Sequence, residues 1–486
     1  MNPSTEYSQR LLTLCFLFVW SLSWAGDRRP NVILVMADDL GYEALSCHGS
    51  TSYETPVLDR IASEGMRFTH CYSQPVCTPS RVKIMTGRSN ARNYTAFGVL
   101  RPEERTFGNI MKEAGYKTCL AGKWQLSGDG PGSKTHNAGT WMDKCGFDEW
   151  CVWAYEHYLK EEDMEHYRST ATVGPKKGTS RFWNPAILEN GHYRPTSIND
   201  FGPDLYSQFI LDFIERNKAE EFFVYYPMVL THGPFIPTPL TEDLTDEMKF
   251  KSSTRHFEAM IQYTGLILQA LLDQVEACGI AEETLILFTC DNGSGREHVS
   301  WMGDRLVLGG KAMPIDAGCH VPMMATWKGV IEPGSICHDL IDFSDFLPTI
   351  AELGKAAIPD DRILDGRSFL PQLKGHRGRP RDSVLVHYDK DPGSLKPKFR
   401  RVRFAYDGRY KLYLSGEMYE VSKDWDEQNP IDWINASPEL LASRKKLQDA
   451  LERLPAWNPD NRHFHGQLDA TTQARLKKAK AILRGR

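Results

Sequence analysis

A chain of 486 residues exceeds what one hydrophobic core usually organises, so a large domain with a smaller companion is expected. Hydrophobic residues at 41% and charged ones at 25% exclude a disordered or collagen-like chain. The formal charge of −5 is small for this length and gives no reason to expect nucleic acid or an anionic membrane as partner.

The N-terminus reads as a cleaved targeting segment over 1–25. Arg10 precedes the apolar run "LLTLCFLFVW", small residues surround a cut after Ala25, and Asp27, Arg28 and Arg29 follow at once. The run is too short for a stable membrane span. Export is the expectation: periplasmic or secreted in a bacterium, lysosomal or extracellular in a eukaryote. In that compartment the remaining ten cysteines can form disulfides, whose pairing the spacing does not fix.

Apolar runs of strand length then recur: "NVILVMA" (31–37), "YKTCLAG" (116–122), "FFVYYPMV" (222–229) and "TLILFTC" (284–290). They are continuous rather than alternating, the pattern of parallel strands covered on both faces. Thr55 with Pro56 starts a helix that stops at Gly65, and Thr106 starts another that stops at Gly115. Longer helices are expected at 203–217 and 256–277. The fold class is therefore α/β, with a large, mostly parallel (mixed) central sheet flanked by helices. Residues 123–200 lack clear periodicity and read as a functional insertion in a catalytic domain spanning 26–375. Trp141, Trp150, Trp153 and Trp183 crowd it with Tyr155, Tyr158, His157, His166, Arg168 and Arg181. These residues suit a sulfated saccharide, or the packing of the segment itself. A linker near 374–383 leads to short strand-like runs, a C-terminal antiparallel sheet subdomain over 376–460, and a basic helical tail over 461–486.

Each long apolar run ends in polar residues: Asp38-Asp39, Lys123, Thr231-His232 and Asp291-Asn292. Open α/β sheets bind ligands beyond the carboxyl ends of their strands, so the four ends can share a site. Adjacent strand residues face opposite ways, so Asp38 and Asp39 meet one centre only if the chain has already turned, which Gly41 permits. Three carboxylates and an amide oxygen form a hard-oxygen set suited to Ca²⁺ or Mg²⁺. The same dipeptides also suit plain turns.

"CTPSR" at Cys77–Arg81, followed by "MTGR" ending at Arg88, resembles the signature of the type I sulfatases of the alkaline phosphatase superfamily. "PNVILVMADDLGY", "AGKWQL", "THGPF", "DNGS" and "GGK" at Gly309–Lys311 are similar to further motifs of that family, in its order. So are "VPMMATWKGVIEPG" and "LDGRSFLPQL". The resemblance implies that Cys77 is oxidised by a maturation enzyme to Cα-formylglycine, whose hydrate is the nucleophile. It implies a metal held by Asp38, Asp39, Asp291 and Asn292 with the modified Cys77, Ca²⁺ before Mg²⁺. Arg81, Lys123 and Lys311 then surround the diol and sulfate oxygens, and His232 meets the ester oxygen and protonates the leaving group.

Two positions depart. Gln125 stands where the family commonly has a histidine that promotes sulfate release, and an amide cannot act as a base at neutral pH. It remains a substrate-binding candidate with Lys123, His232 and Lys311. His320 replaces an arginine to which a structural role is given. The implied function is hydrolysis of an alcohol or sugar sulfate ester. The alternatives are hydrolysis of phosphate or phosphonate esters on the same fold, and, from another class, binding of sulfated glycans without turnover. Sequons at Asn93 and Asn435 and within "NGS" at Asn292 are weak signals.

Overall fold

In the computed structural model, residues 28–129, 132–169, 181–392, 401–434 and 436–457 are described. The expected leader, the C-terminal tail, Asn435 and the side chains of His166 and Arg168 lie outside them.

Ten strands form the main sheet. Along the chain they are β1 (Asn31–Ala37), β2 (Met66–Tyr72), β3 (Lys117–Gly122), β4 (Glu149–Trp153), β5 (Ile187–Glu189), β6 (His192–Arg194), β7 (Phe222–Pro227) and β8 (Thr284–Cys290). A two-stranded ribbon follows, β9 (Val299–Met302) with β10 (Arg305–Leu308), and then β11 (His320–Thr326) and β12 (Ser335–Asp342) complete the sheet. Its order is β12-β2-β11-β8-β1-β7-β3-β4-β5-β6. The centre, β8-β1-β7-β3-β4, is parallel, whereas β11, β5 and β6 pair antiparallel. Strands β1 and β8 are buried along their whole length, as continuous apolar runs between two helical layers require.

The helices Gly202–Asn217 and Phe257–Ala277 match the longer expectations. Thr106 caps the helix Phe107–Glu113 through a reciprocal box with Asn109. Thr55 precedes the helix Pro56–Glu64 but does not cap it. Its hydroxyl instead donates to Asp59 Oδ1 at 3.0 Å. Residues 123–200 extend the main sheet through β4, β5 and β6. Trp150, Trp153 and Trp183 are buried in the main core, and Trp141 packs against it.

The expected C-terminal sheet is present, with one strand beyond the three runs read from the sequence: β13 (Val384–Tyr388), β14 (Val402–Tyr406), β15 (Tyr410–Tyr413) and β16 (Met418–Glu420). One face packs on the helix Pro438–Glu452, and the other shares a core with Tyr72, Val76 and Cys319. The subdomain thus braces the segment leading into Cys77. Among the described residues no disulfide joins any of the ten cysteines.

Candidate active site

Strands β8, β1, β7 and β3 are neighbours and parallel, so their carboxyl ends lie side by side. This one fact of topology gathers Asp291-Asn292, Asp38-Asp39, His232 and Lys123. Asp39 adopts a left-handed conformation (φ 62°), one that aspartate tolerates better than most residues. The turn that brings both aspartates to the site therefore lies at Asp39 and not at Gly41, which is extended. Gly41 matters for space, since a Cβ there would fall 2.0 Å from Glu43 Oε2.

Cys77 is the first residue of the buried helix Cys77–Thr86, and Arg81, one turn later, shares its face. Arg81 donates to Asp291 Oδ2 at 2.9 Å and to the Lys123 carbonyl at 2.9 Å. Lys83 faces elsewhere, donating to Asp342 at 2.8 Å and to the Leu385 carbonyl at 2.7 Å, which ties the helix to the C-terminal subdomain.

Lys123 donates to Asp38 Oδ2 at 2.7 Å, and Lys311, just beyond the β9–β10 ribbon, pairs with Asp39. Asn292 Nδ2 donates to Asp39 Oδ1 at 2.8 Å, and the Asp39 amide donates to Asp291 Oδ1 at 3.2 Å. His232 places Nε2 3.5 Å from Asp39 Oδ2, and its Nδ1–H donates to the Gly233 carbonyl at 2.6 Å. Cys77, Asp39, Gln125, His232 and Lys311 open into one cavity of about 560 Å³, with Phe97, Arg296 and Lys390 also in its wall. The structure thus brings together the residues proposed from the strand ends and the Cys77 motif, whereas Trp150, Trp153 and Trp183 of the 123–200 segment are buried in the core.

Burial raises the cost of charge on Asp38, yet the charges of Lys123 and Arg81 hold it far below the usual carboxylate range. Asp291 is pushed the other way, to about 7, by burial and by the charge of Asp38. Burial, with help from Lys311, brings His232 down to about 3, so the imidazole is neutral. Lys311 is held above its ordinary range despite burial, because Asp39 lies against it.

The donor set fits a hard dication. Asp38, Asp39 and His232 offer ligand atoms that lie within 4.8 Å of one another. Asp38 Oδ1 and Asn292 Oδ1 are buried without a hydrogen-bond partner, which such an ion would supply. Asp291 joins the cluster through the Asp39 amide.

Sequence reasoning did not place Arg181 at this centre. It arrives from the segment that precedes β5, with Nη1 3.8 Å from Asp38 Oδ2 and the guanidinium 4.2 Å over the Trp153 ring. No local motif marks it. Lys390 and Phe97 are likewise brought to the cavity wall by tertiary packing alone, Lys390 lying 4.6 Å over the Phe97 ring. His320 stacks on Tyr42 and Tyr72 and pairs with Asp316 at 3.2 Å, a structural role away from the cavity. Asn93 is buried and donates to Thr86 and Glu104, and Asn292 is buried in the site, so neither sequon presents an accessible amide.

The site is an acidic cluster at the strand ends of a mixed sheet, faced by a cysteine-initiated helix. The sulfatase family model matches residues 30–356, and this chain belongs to the sulfatase family. It is 31% identical over 389 residues to N-acetylgalactosamine-6-sulfatase of Canis lupus familiaris, covering 74% of this chain and 69% of that protein. It is 30% identical over 468 residues to arylsulfatase A of Homo sapiens, covering 87% of each. Its fold matches a structure solved in complex with its substrate D-glucosamine-2-N,6-O-disulfate, with a TM-score of 0.64, 20% identity, and 87% of this chain and 97% of that one covered. Among the described residues no helix is long and apolar enough to cross a membrane.

Proposed function

We propose that this sulfatase is exported and removes sulfate from a saccharide ester, using an aldehyde made from Cys77 by a maturation enzyme, with Ca²⁺ (Mg²⁺ as the lesser choice) as its cation. The observation that carries the reading is that Cys77, Asp39 and Lys311 line one cavity, while Asp38, Asp291, Arg81 and Lys123 form a bonded cluster with Asp39 at the same strand ends.

Asp38, Asp39, Asp291 and Asn292 would hold the cation beside residue 77, where it supplies fixed positive charge and acidifies a neighbouring hydroxyl. As the aldehyde hydrate, residue 77 offers one hydroxyl to attack sulfur and a second whose collapse to the aldehyde releases sulfate. Arg81, locked by Asp291 and the Lys123 carbonyl, fixes the charge beside that nucleophile. Lys123 and Lys311 bring two ammonium groups for the sulfate oxygens. His232, its Nδ1–H already committed to Gly233, keeps Nε2 as the atom that would meet the leaving oxygen. A negatively charged ester in the cavity opposes the burial that keeps this imidazole neutral, and so favours the protonated form that an alcohol leaving group needs.

Sulfate, phosphate and phosphonate esters of one phenol, compared by kcat/KM, separate this reading from hydrolysis of phosphorus esters on the same fold. Sulfate is expected to be preferred by at least about tenfold, a difference of about 1.4 kcal/mol in transition-state binding. Preference for a phosphorus ester overturns the substrate assignment. Absence of turnover with all three, in protein bearing the aldehyde, leaves the glycan-binding reading.

Gln125 Oε1 is buried without a hydrogen-bond partner and borders the cavity beside Cys77. It can accept a hydroxyl proton in a hydrogen bond but cannot remove that proton. Another base is expected to release sulfate, with His232 and the neighbouring carboxylates in position. Gln125→His then leaves steady-state turnover within about threefold, and the wild type shows no product burst. A burst followed by slow turnover, accelerated in the variant, would instead assign slow release to Gln125.

A further inference from the structure

Arg181 has no part in the motifs that define the site, yet the structure builds a support for it. Its guanidinium lies over the ring of Trp153, a buried residue of β4, 4.2 Å from the ring centre. Its backbone is held against the start of helix Gly202–Asn217. The Gly202 amide donates to the Phe182 carbonyl at 2.7 Å, and a Cβ on Gly202 would fall 2.3 Å from the Arg181 carbonyl oxygen. Trp183 anchors the same segment by donating to the Pro237 carbonyl at 2.8 Å.

From this support Arg181 turns Nη1 into the strand-end cluster, where the atom is buried and has no hydrogen-bond acceptor. The near carboxylate oxygen, Asp38 Oδ2, lies at 3.8 Å, beyond hydrogen-bond reach, and already accepts from Lys123 at 2.7 Å. A guanidinium N–H left unpaired in a buried site is unfavourable unless an incoming group completes it. The group that suits it is an oxyanion, because the guanidinium fork matches tetrahedral anions and the neighbouring Lys123 adds a second positive charge.

We infer that Arg181 is an anion-contacting residue of this active site, donating from Nη1 to an oxygen of the sulfate group that Lys123 also meets. This rests on the reading of the strand-end cluster as the sulfate ester site. Arg181 lies on the segment that leads into the edge strand β5. The sheet-edge region therefore supplies a charge as well as packing, at a centre where Gln125 supplies none.

The test is calorimetric titration of inorganic sulfate into the metal-loaded protein, wild type against Arg181→Gln and Arg181→Lys, alongside kcat and KM for an aryl sulfate. Sulfate affinity is expected to fall at least about tenfold in Arg181→Gln and to recover in part in Arg181→Lys, with kcat/KM down by on the order of 10²-fold. Gly202→Ala, which displaces the Arg181 backbone without touching its charge, is expected to weaken sulfate in the same direction. Unchanged sulfate affinity in Arg181→Gln overturns the inference. So does a raised cation requirement with sulfate affinity intact, which would assign Arg181 to the support of Asp38 alone. Sulfate binding needs no turnover, so wild-type protein that binds sulfate without hydrolysing esters would defeat the proposed function and leave this inference standing.

Discussion

Cys77→Ala is expected to abolish sulfate ester hydrolysis while leaving the fold and melting temperature nearly unchanged. The side chain is small, heads a helix and lines the cavity, so its removal takes away a nucleophile and little packing. The helix stays anchored by Lys83 on Asp342 and Leu385, and by Arg81 on Asp291. A loss of at least about 10⁴-fold in kcat is expected, since without the nucleophile only charge stabilisation and binding remain. Activity within tenfold of wild type would remove Cys77 from the reaction.

The second large effect is at Asp291. Its carboxylate accepts from the Asp39 amide and pairs with Arg81, whose side chain is 1% exposed. Asp291→Ala therefore removes a proposed metal ligand and leaves a buried guanidinium without its main partner, a loss of about 3–5 kcal/mol. Metal binding and activity should vanish together, and Asp291→Asn, which keeps the shape, should spare more of the stability than of the activity.

The wild-type pH dependence carries a sign that checks this. Asp291 is raised from 3.8 to about 7 by burial and by Asp38, so the folded chain binds this proton more tightly than the unfolded chain. Its contribution to metal-free stability accordingly falls as pH rises from about 4 to about 7, and is flat above. Added Ca²⁺ binds the ionised form and competes with that proton. Its stabilisation in thermal unfolding should therefore be larger near about pH 8 than near about pH 5. Equal stabilisation at both would contradict the placing of Asp291 among the ligands.

Much of this site is legible in the sequence because its strands are buried on both faces. β1 and β8 fill the runs 31–37 and 284–290, and each run gives way to carboxylates where the chain leaves the sheet. Thr106 could be read because its cap is local. Strands β5 and β6 could not, being three residues each at the sheet edge, with β6 largely exposed and without apolar alternation. A turn after β1 can be read from Gly41, but its left-handed residue is Asp39, because the sequence points first to glycine, the ordinary bearer of that conformation. Arg181 carries no local signal, because stacking on Trp153 and contact with Gly202 decide where it points.

The central claim is that residue 77 works as an aldehyde. The mass of the peptide containing Cys77, taken from fully active enzyme made with its maturation partner, tests it most directly. Exchange of CH₂SH for CHO predicts a peptide lighter than the thiol form by roughly 18 Da. An unmodified thiol at Cys77 in fully active enzyme would contradict the account.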